Sequence, residues 1–496
     1  MTDPASPPRT DPRPSPAVRG AAAIRVIARK ELREMLRDGR FRVAGVAVLG
    51  LLLLSLALGY RQSRAVQAER AAAQAAADEH WREQDEKNPH VAAHYGTFVF
   101  KPAGALSFLD PGVEPFVGAS LRIEAHKQNL LQGAPAQDGT AVQRFGRLSV
   151  AAVLQLLVPL LLIGLGFSAW TAERERGTLR QIGSLGVPTV ALLGGKALGM
   201  SAALGLLIVP AGLAAALPLW LAGGAGGAPV TARFLTLLLV YLAYFGVYVG
   251  IALAVSSRAS SSRVALVALL GFWVASGLVV PRVAADVAAR AVVLPSSSEL
   301  GAAVRRSLEQ GLPGGPPREE RIAALTEGLL EREGFVGAET LMDAALLQGI
   351  ELQAEAAFEN EVFDHHFSRV ADRIEAQERV VELASFVSPF VAIRSLSMAV
   401  AGTDYAHHRD FAGAAERHRR ALVDVLNRDF SRNAGSAGWS YKAGRELWSK
   451  APALSYTRPQ LGAVLARQKV PACALAAWVV LSFAVAWAAA ARMRVA

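Results

Sequence analysis

Between Leu148 and Leu221, two long apolar runs enclose a short charged segment, and this arrangement limits the fold more severely than anything else in the chain. A membrane-spanning helix needs about 20 charge-poor residues, because it rises only ~1.5 Å per residue through ~30 Å of hydrocarbon. Glu173, Arg174, Glu175, Arg176 and Arg180 must therefore lie outside the hydrocarbon, between two spans. Thr178 and Gln181 have capping-box spacing, Gly177 before them lets the chain turn, and Pro188 suits the first turn of the next helix. The pattern predicts a short helix between two spans, exposed to a partner.

Composition agrees. Of 496 residues, 52% are hydrophobic, mean hydropathy is +0.29, and the apolar residues gather into runs long enough to span. Six spans are predicted, at about 41–60, 148–170, 197–221, 232–256, 264–281 and 471–490. The fold class expected is an all-α polytopic membrane protein. Residues 1–20, rich in Pro, Asp and Ser, read as a disordered cytoplasmic tail. Over 21–40, Ile24, Ile27, Ala28, Leu32, Met35 and Leu36 recur at helical steps, with Arg25, Arg29, Lys30, Arg33 and Arg37 opposite. That is a basic amphipathic helix suited to the membrane surface. The first apolar run starts near residue 41, after a polar lead and without a small-residue cleavage site, so it reads as a retained signal anchor.

The formal net charge of +10 raises the question of nucleic acid. Its location answers it. Residues 1–42 hold ten Arg and Lys against five acids, beside the first span, which is the positive-inside signal. No nucleic-acid partner is expected. The 171–188 loop, Arg258 with Arg263, and Arg492 with Arg494 are basic too, so with six spans both termini and these loops fall on the cytoplasmic side. Tyr60, Trp170, Trp220 and Trp487 sit near span ends, where interface aromatics belong. The polar regions 61–147 and 282–470 are then both extracytoplasmic. The second reads as a helical hairpin or bundle; in the first, Ala65 to Ala77 extends the first span and the part with Pro102, Pro111 and Pro115 is turn-rich. A lone cysteine, Cys473, excludes an internal disulfide.

The loop sequence ERERGTL (Glu173 to Leu179), followed by Pro188 and by Gly195-Lys196, resembles the segment between the second and third spans of ABC-2 type transporter permeases. KNPHVAAHYGTFVFKP (Lys87 to Pro102), LDPGV, RIEAHKQN, RFGRLS and FVSPFVAIRSLSMAVAGTDYAHHRDF (Phe386 to Phe411) resemble the branch of that family with large extracytoplasmic inserts and a domain of unknown function. The resemblance implies a separate ABC ATPase subunit carrying ATP and Mg, and a second permease copy or sister permease. It also implies an amphipathic entry helix and residence in a bacterial inner (cytoplasmic) membrane. The implied docking loop is 171–196, with Glu173, Arg174, Glu175, Arg176, Gly177 and Thr178 as the ATPase-docking residues. The function expected is a permease subunit, an exporter by direction. The alternative is an ATPase-coupled assembly or sensor protein that moves its external domain without carrying substrate.

The chain's own residues assign no catalytic, cofactor or metal site. LLGGKALG superficially resembles a phosphate loop, but Val190 stands where the first Gly is needed and Ala197 where Ser or Thr would hold magnesium. The chain is therefore not expected to be an enzyme. His90 and His94 share a helical face, but the HExxH glutamate is missing between them, leaving no sign of a metallopeptidase. Glu361 with His365-His366, and His407-His408, are further clusters; all are read as surface or structural histidines, with a metal site as the alternative. Ionisable groups are nearly absent from the spans, which disfavours an ion relay. Tyr241, Tyr244 and Tyr248 share one face of the fourth span, and Gln155 and Pro159 lie within the second. The tyrosines and Gln155 are a candidate path for an amphipathic substrate, with helix packing as the ordinary alternative. Gly194, Gly195 and Gly199 predict close helix approach.

Overall fold

The computed structural model describes residues 16–137, 148–221, 227–332 and 344–492. Most of the expected tail, the Gly-rich turn before the fourth span, most of RFGRLS and Arg494 lie outside them.

An entry helix, α1 (Pro16–Arg37), is followed by α2 (Gly39–Arg82), which begins as a span and continues unbroken past it. Asp38 accepts from the Arg40 N–H at 2.8 Å and caps α2. A short α3 (Pro89–Tyr95) leads to strands β1 (Thr97–Phe100) and β2 (Ser120–Ile123), an antiparallel pair that the turn-rich reading of this region did not anticipate. The second span is α4 (Val150–Glu175). The short α5 (Thr178–Ser184) separates it from α6 (Thr189–Leu221). Two more spanning-length helices follow, α7 (Gly227–Arg258) and α8 (Ser262–Ala291). The second polar region holds α9 (Ser297–Gln310), α10 (Arg318–Arg332), α11 (Ala344–Leu383), α12 (Pro389–Ala401), α13 (Tyr405–Asn433), α14 (Arg445–Lys450) and α15 (Leu461–Arg467). The last apolar helix is α16 (Lys469–Ala491).

Six of these helices, α2, α4, α6, α7, α8 and α16, are long and apolar enough to cross a membrane among the described residues. The chain is an all-α multi-pass membrane protein. Leu206, Val209, Leu213, Leu239 and Val480 are exposed on those helices, as side chains facing lipid must be. Inward, one apolar core joins Phe41 and Leu52 of α2, Leu162 of α4, Met200 of α6, Phe245 of α7 and Leu475 of α16.

Two features concern the polar regions. First, they share a core: Trp81, Ala92, Val99 and Ile123 from the first pack with Phe411, Leu422, Leu426 and Trp448 from the second. The inserts therefore form one extramembrane domain. Second, α12 packs into the core of the spans and not into that domain. Ile393, Leu396 and Val400 are buried with the spans. Its end is closed by Gly402 at φ 78°, and Arg233 of α7 donates to the Val400 carbonyl at 3.0 Å. A cation at exposed carbonyls opposes the negative end of the helix dipole.

Candidate functional site

Two constellations occupy opposite parts of the bundle. The first lies where α1, the charged loop and α6 meet. Lys196 is 1% exposed, and its Nζ contacts Glu31 Oε1 at 2.9 Å and Glu173 Oε1 at 3.0 Å. Lys30 Nζ reaches the same two carboxylates at 3.2 and 2.8 Å, and Lys196 sits 5.3 Å from the Trp170 ring centroid. Burial opposes the Lys30 charge, but the Glu173 hydrogen bond and the Glu31 and Glu173 charges outweigh it and raise the ammonium above its usual range. Two lysines and the buried Glu31 and Glu173, from three separate segments, thus make one knot, with the exposed Glu34 reaching Lys30 at 3.2 Å on its outer side. A buried charge needs such compensation, because an unpaired one costs several kcal/mol, ~3–5 when one partner is removed.

Glycines place the knot. A Cβ at Gly195 would stand 2.5 Å from Ile27 side-chain atoms, and one at Gly199 would stand 2.6 Å from the Glu31 Cβ. Gly194 meets Ile24. Entry helix and third-span helix therefore touch along a small-residue groove. Part of the apolar stripe expected to face the membrane surface instead meets α6, although Val26 and Leu36 stay exposed.

The loop residues divide by role. Glu173 is buried in the knot and Trp170 is fully buried beneath Lys196, not at an interface. Arg174 donates to the carbonyls of Ser257 and Ala259 at 2.6 and 2.7 Å. Glu175 accepts from the Ser262 N–H at 2.8 Å, at the start of α8. Thr178 donates to the Glu173 carbonyl at 3.2 Å and makes no capping box with Gln181; Gly177, at φ 73°, is the N-cap of α5. The reason is geometric: the left-handed turn at Gly177 makes Thr178 the first helical residue instead of the cap. Glu175, Arg176 and Gly177 present an exposed corner. Lys196 lies within α6 and is wholly internal.

The second constellation lies around α12. Pro159 has no N–H, so the carbonyl of Gln155 lacks its helical donor. The backbone there widens into a π-type turn, Val153–Leu157. Tyr244 hydroxyl donates to the Gln155 carbonyl at 2.8 Å, and the Trp273 ring N–H donates to that of Leu156 at 3.1 Å. A second π-type turn, Ala275–Val279, precedes Pro281 in the same way, and Ser388 hydroxyl donates to the Ser276 carbonyl at 2.8 Å. Such turns concentrate at functional sites.

Between the turns lies a buried polar chain. Gln155 Nε2 donates to Tyr241 at 2.9 Å, Tyr241 and Ser397 hydroxyls are 3.0 Å apart, and Ser397 donates to Asp110 Oδ2 at 2.5 Å. Burial pushes the Asp110 carboxyl up, against the Ser397 and Gly112 hydrogen bonds and the Arg394 charge. Two cavities flank the chain. One of about 210 Å³ is lined by Asp110, Gln155, Phe116, Arg394 and Met398. The other, about 320 Å³, is apolar, with Leu52, Ile208, Gly212, Phe234 and Tyr241 in its walls.

Of the candidate path residues, Gln155 and Tyr241 reach these cavities, one each. Tyr244 and Tyr248 are packed inside, with ring centroids 5.2 Å apart. Sequence reading missed Asp110, Ser397 and Arg394, which come from a loop and from a helix assigned to the external region. The prolines Pro159 and Pro281 were the available signal. A family model described as ABC-2 family transporter protein matches residues 25–493. No curated protein matches the chain.

Proposed function

The chain belongs to the ABC-2 transporter protein family, and on that premise we propose that it couples a separate ATPase to export through the 171–188 loop and the entry helix. It is a multi-pass membrane permease of the ABC-transporter type, and members of this family generally work with an ABC ATPase subunit. The chain has no nucleotide site of its own; ATP and Mg bind the partner. Two permeases, identical or sister, face each other in a bacterial inner membrane, with both termini and the 171–188 loop cytoplasmic and the joined polar regions outside.

The single observation that carries this reading is the knot of Lys30, Glu31, Glu173 and Lys196. It ties the entry helix, the charged loop and the third-span helix into one unit. A push on the exposed corner at Arg176 and Gly177 would move all three together, and through Arg174 and Glu175 it would reach the ends of α7 and α8. At the other constellation, the hydrogen-bonded chain from Gln155 to Asp110 stands between an apolar cavity and one whose mostly apolar wall carries Asp110, Gln155 and Arg394, a boundary suited to an amphipathic substrate.

The second reading, an assembly or sensor protein without substrate, is favoured by the burial of Tyr244 and Tyr248, both packed inside the bundle. A detergent pull-down of the tagged chain from native membranes, assayed for ATP hydrolysis, tests the coupling. Co-purifying ATPase lost on charge reversal at Arg176 supports it; an eluate without ATPase activity removes it. Uptake into inverted vesicles then separates transport from the second reading.

A further inference from the structure

We propose that His90, His94 and His126 form a zinc site in the extramembrane domain. His90 and His94 stand one turn apart on α3, whose first residues are capped by Asn88. His126 arrives from the turn after β2. The Ala125 N–H donates to the Ala93 carbonyl at 2.9 Å and pins that turn to α3. Gly96 makes the approach feasible, since a Cβ there would lie 1.9 Å from the Ile123 carbonyl oxygen. His126 itself adopts φ 59°, the only positive φ among described non-glycine residues, so backbone strain is spent to aim this ring.

The geometry fits a metal. The Nε2 of His90 lies 3.1 Å from that of His94 and 3.2 Å from that of His126. Three nitrogens held ~2.0–2.1 Å from a tetrahedral zinc lie about 3.3 Å apart. The outer nitrogens fix the tautomers. His126 Nδ1 lies 2.8 and 3.0 Å from the two carboxylate oxygens of Glu359, which only accept, so Nδ1 must donate. His90 Nδ1 lies 3.2 Å from Asn427 Oδ1 and donates likewise. In the neutral imidazoles both Nε2 atoms, 3.2 Å apart, are then left with bare lone pairs. Two lone pairs at that distance repel, and a cation between them turns repulsion into ligation. A carboxylate or amide behind each imidazole is the usual outer support of a histidine ligand.

Three imidazoles and no carboxylate in the inner set suit a first-row transition ion and not calcium or magnesium, which take oxygen. His94 is exposed, so the fourth position faces solvent. The ligands come from the first polar region, and Glu359 and Asn427 from α11 and α13 of the second. The ion would therefore clamp the two regions together.

The test uses untagged full-length protein in detergent, stripped with chelator and titrated with zinc chloride by calorimetry. One zinc per chain is expected. His94→Ala and His126→Ala should each weaken binding at least 100-fold, and Glu359→Gln on the order of 10–100-fold. His365→Ala should change nothing. Cobalt in place of zinc should give the visible bands of four-coordinate nitrogen ligation, absent in His94→Ala. Circular dichroism and gel filtration confirm that each variant is folded; His94 is exposed, so its loss should not unfold the domain. Folded wild-type protein that takes up no stoichiometric zinc overturns the proposal, as does binding unchanged in His94→Ala and His126→Ala.

Discussion

The Tyr244 hydroxyl donates at 2.8 Å to the carbonyl of Gln155, the oxygen that Pro159 deprives of its helical donor. A side chain on one span thus completes the backbone of another. In hydrocarbon no water can substitute. Tyr244→Phe should lower stability by about 1–2 kcal/mol. Pro159→Ala supplies the missing N–H and should make the same Tyr244→Phe change nearly neutral. A double-mutant cycle read by thermal melting checks this; additive effects would show that the hydroxyl does not serve that carbonyl.

Lys196→Met should be among the most damaging single changes at the entry helix. It leaves the Glu31 and Glu173 carboxylates buried with one lysine between them, at a cost of about 3–5 kcal/mol. Adding Glu31→Met leaves Glu173 as the one buried carboxylate of the knot, paired with Lys30, which also keeps the exposed Glu34, and should recover part of the loss. Melting of both variants in detergent decides it.

Gly195 and Gly205 lie on the same helix and should respond in opposite directions. Gly195→Ala places a methyl against Ile27 and should cost about 1–3 kcal/mol. At Gly205 nothing lies within 4 Å, so Gly205→Ala should stabilise by up to about 1 kcal/mol through helix propensity. Equal effects at the two positions would remove the close contact of α1 and α6 as their cause.

The exposed corner of the loop is where a partner's response should separate from folding. Arg176→Glu should leave the melting temperature unchanged and abolish stimulation of the partner ATPase. Glu173→Lys cannot report on docking, because its side chain is held in the buried knot. Full coupling in Arg176→Glu would exclude this corner as the contact.

Burial, with the charges of Asp404, Glu382 and Glu375, pushes the Glu378 carboxyl on α11 from the ordinary 4.5 up to about 7. The folded state therefore holds this proton more tightly than the unfolded state. Its stability contribution is fully present below pH 4.5 and is lost as pH rises to about 7. Glu378→Gln should stabilise the domain above pH 7, do little near pH 4.5, and flatten the slope between. Parallel melting curves at both pH values would contradict the shift.

The spans were legible because hydrocarbon imposes a length and forbids charge; no such rule governs the rest. The helical continuation through Ala65–Ala77 was legible from its alanines. The β1–β2 pair was not, since four-residue strands carry little periodicity. Residues 386–411 read as external because Arg394 and the polar residues around Thr403 interrupt them. The structure packs α12 into the core of the spans, where its N-cap Ser388 donates to the second π-type turn and Ser397 pairs with Tyr241 and Asp110. His90 and His94 were visible as a pair, but their third member lies 32 residues beyond His94 in sequence, and only the turn at Ala125 brings it back. Glu173 looked like a surface residue because its lysine partners, Lys30 and Lys196, are distant in the chain.

The second helix has a mechanical consequence. Its 44 residues run without a break from Gly39 to Arg82. Half of it sits among the spans, and Trp81 near its far end is buried in the core of the extramembrane domain. At ~1.5 Å per residue the part beyond the hydrocarbon is a rod of about 33 Å. A tilt of about 10° at its base displaces such a rod's tip by about 6 Å. The helix is thus a lever arm with its fulcrum in the bilayer, and no hinge lies between the two ends to absorb the stroke.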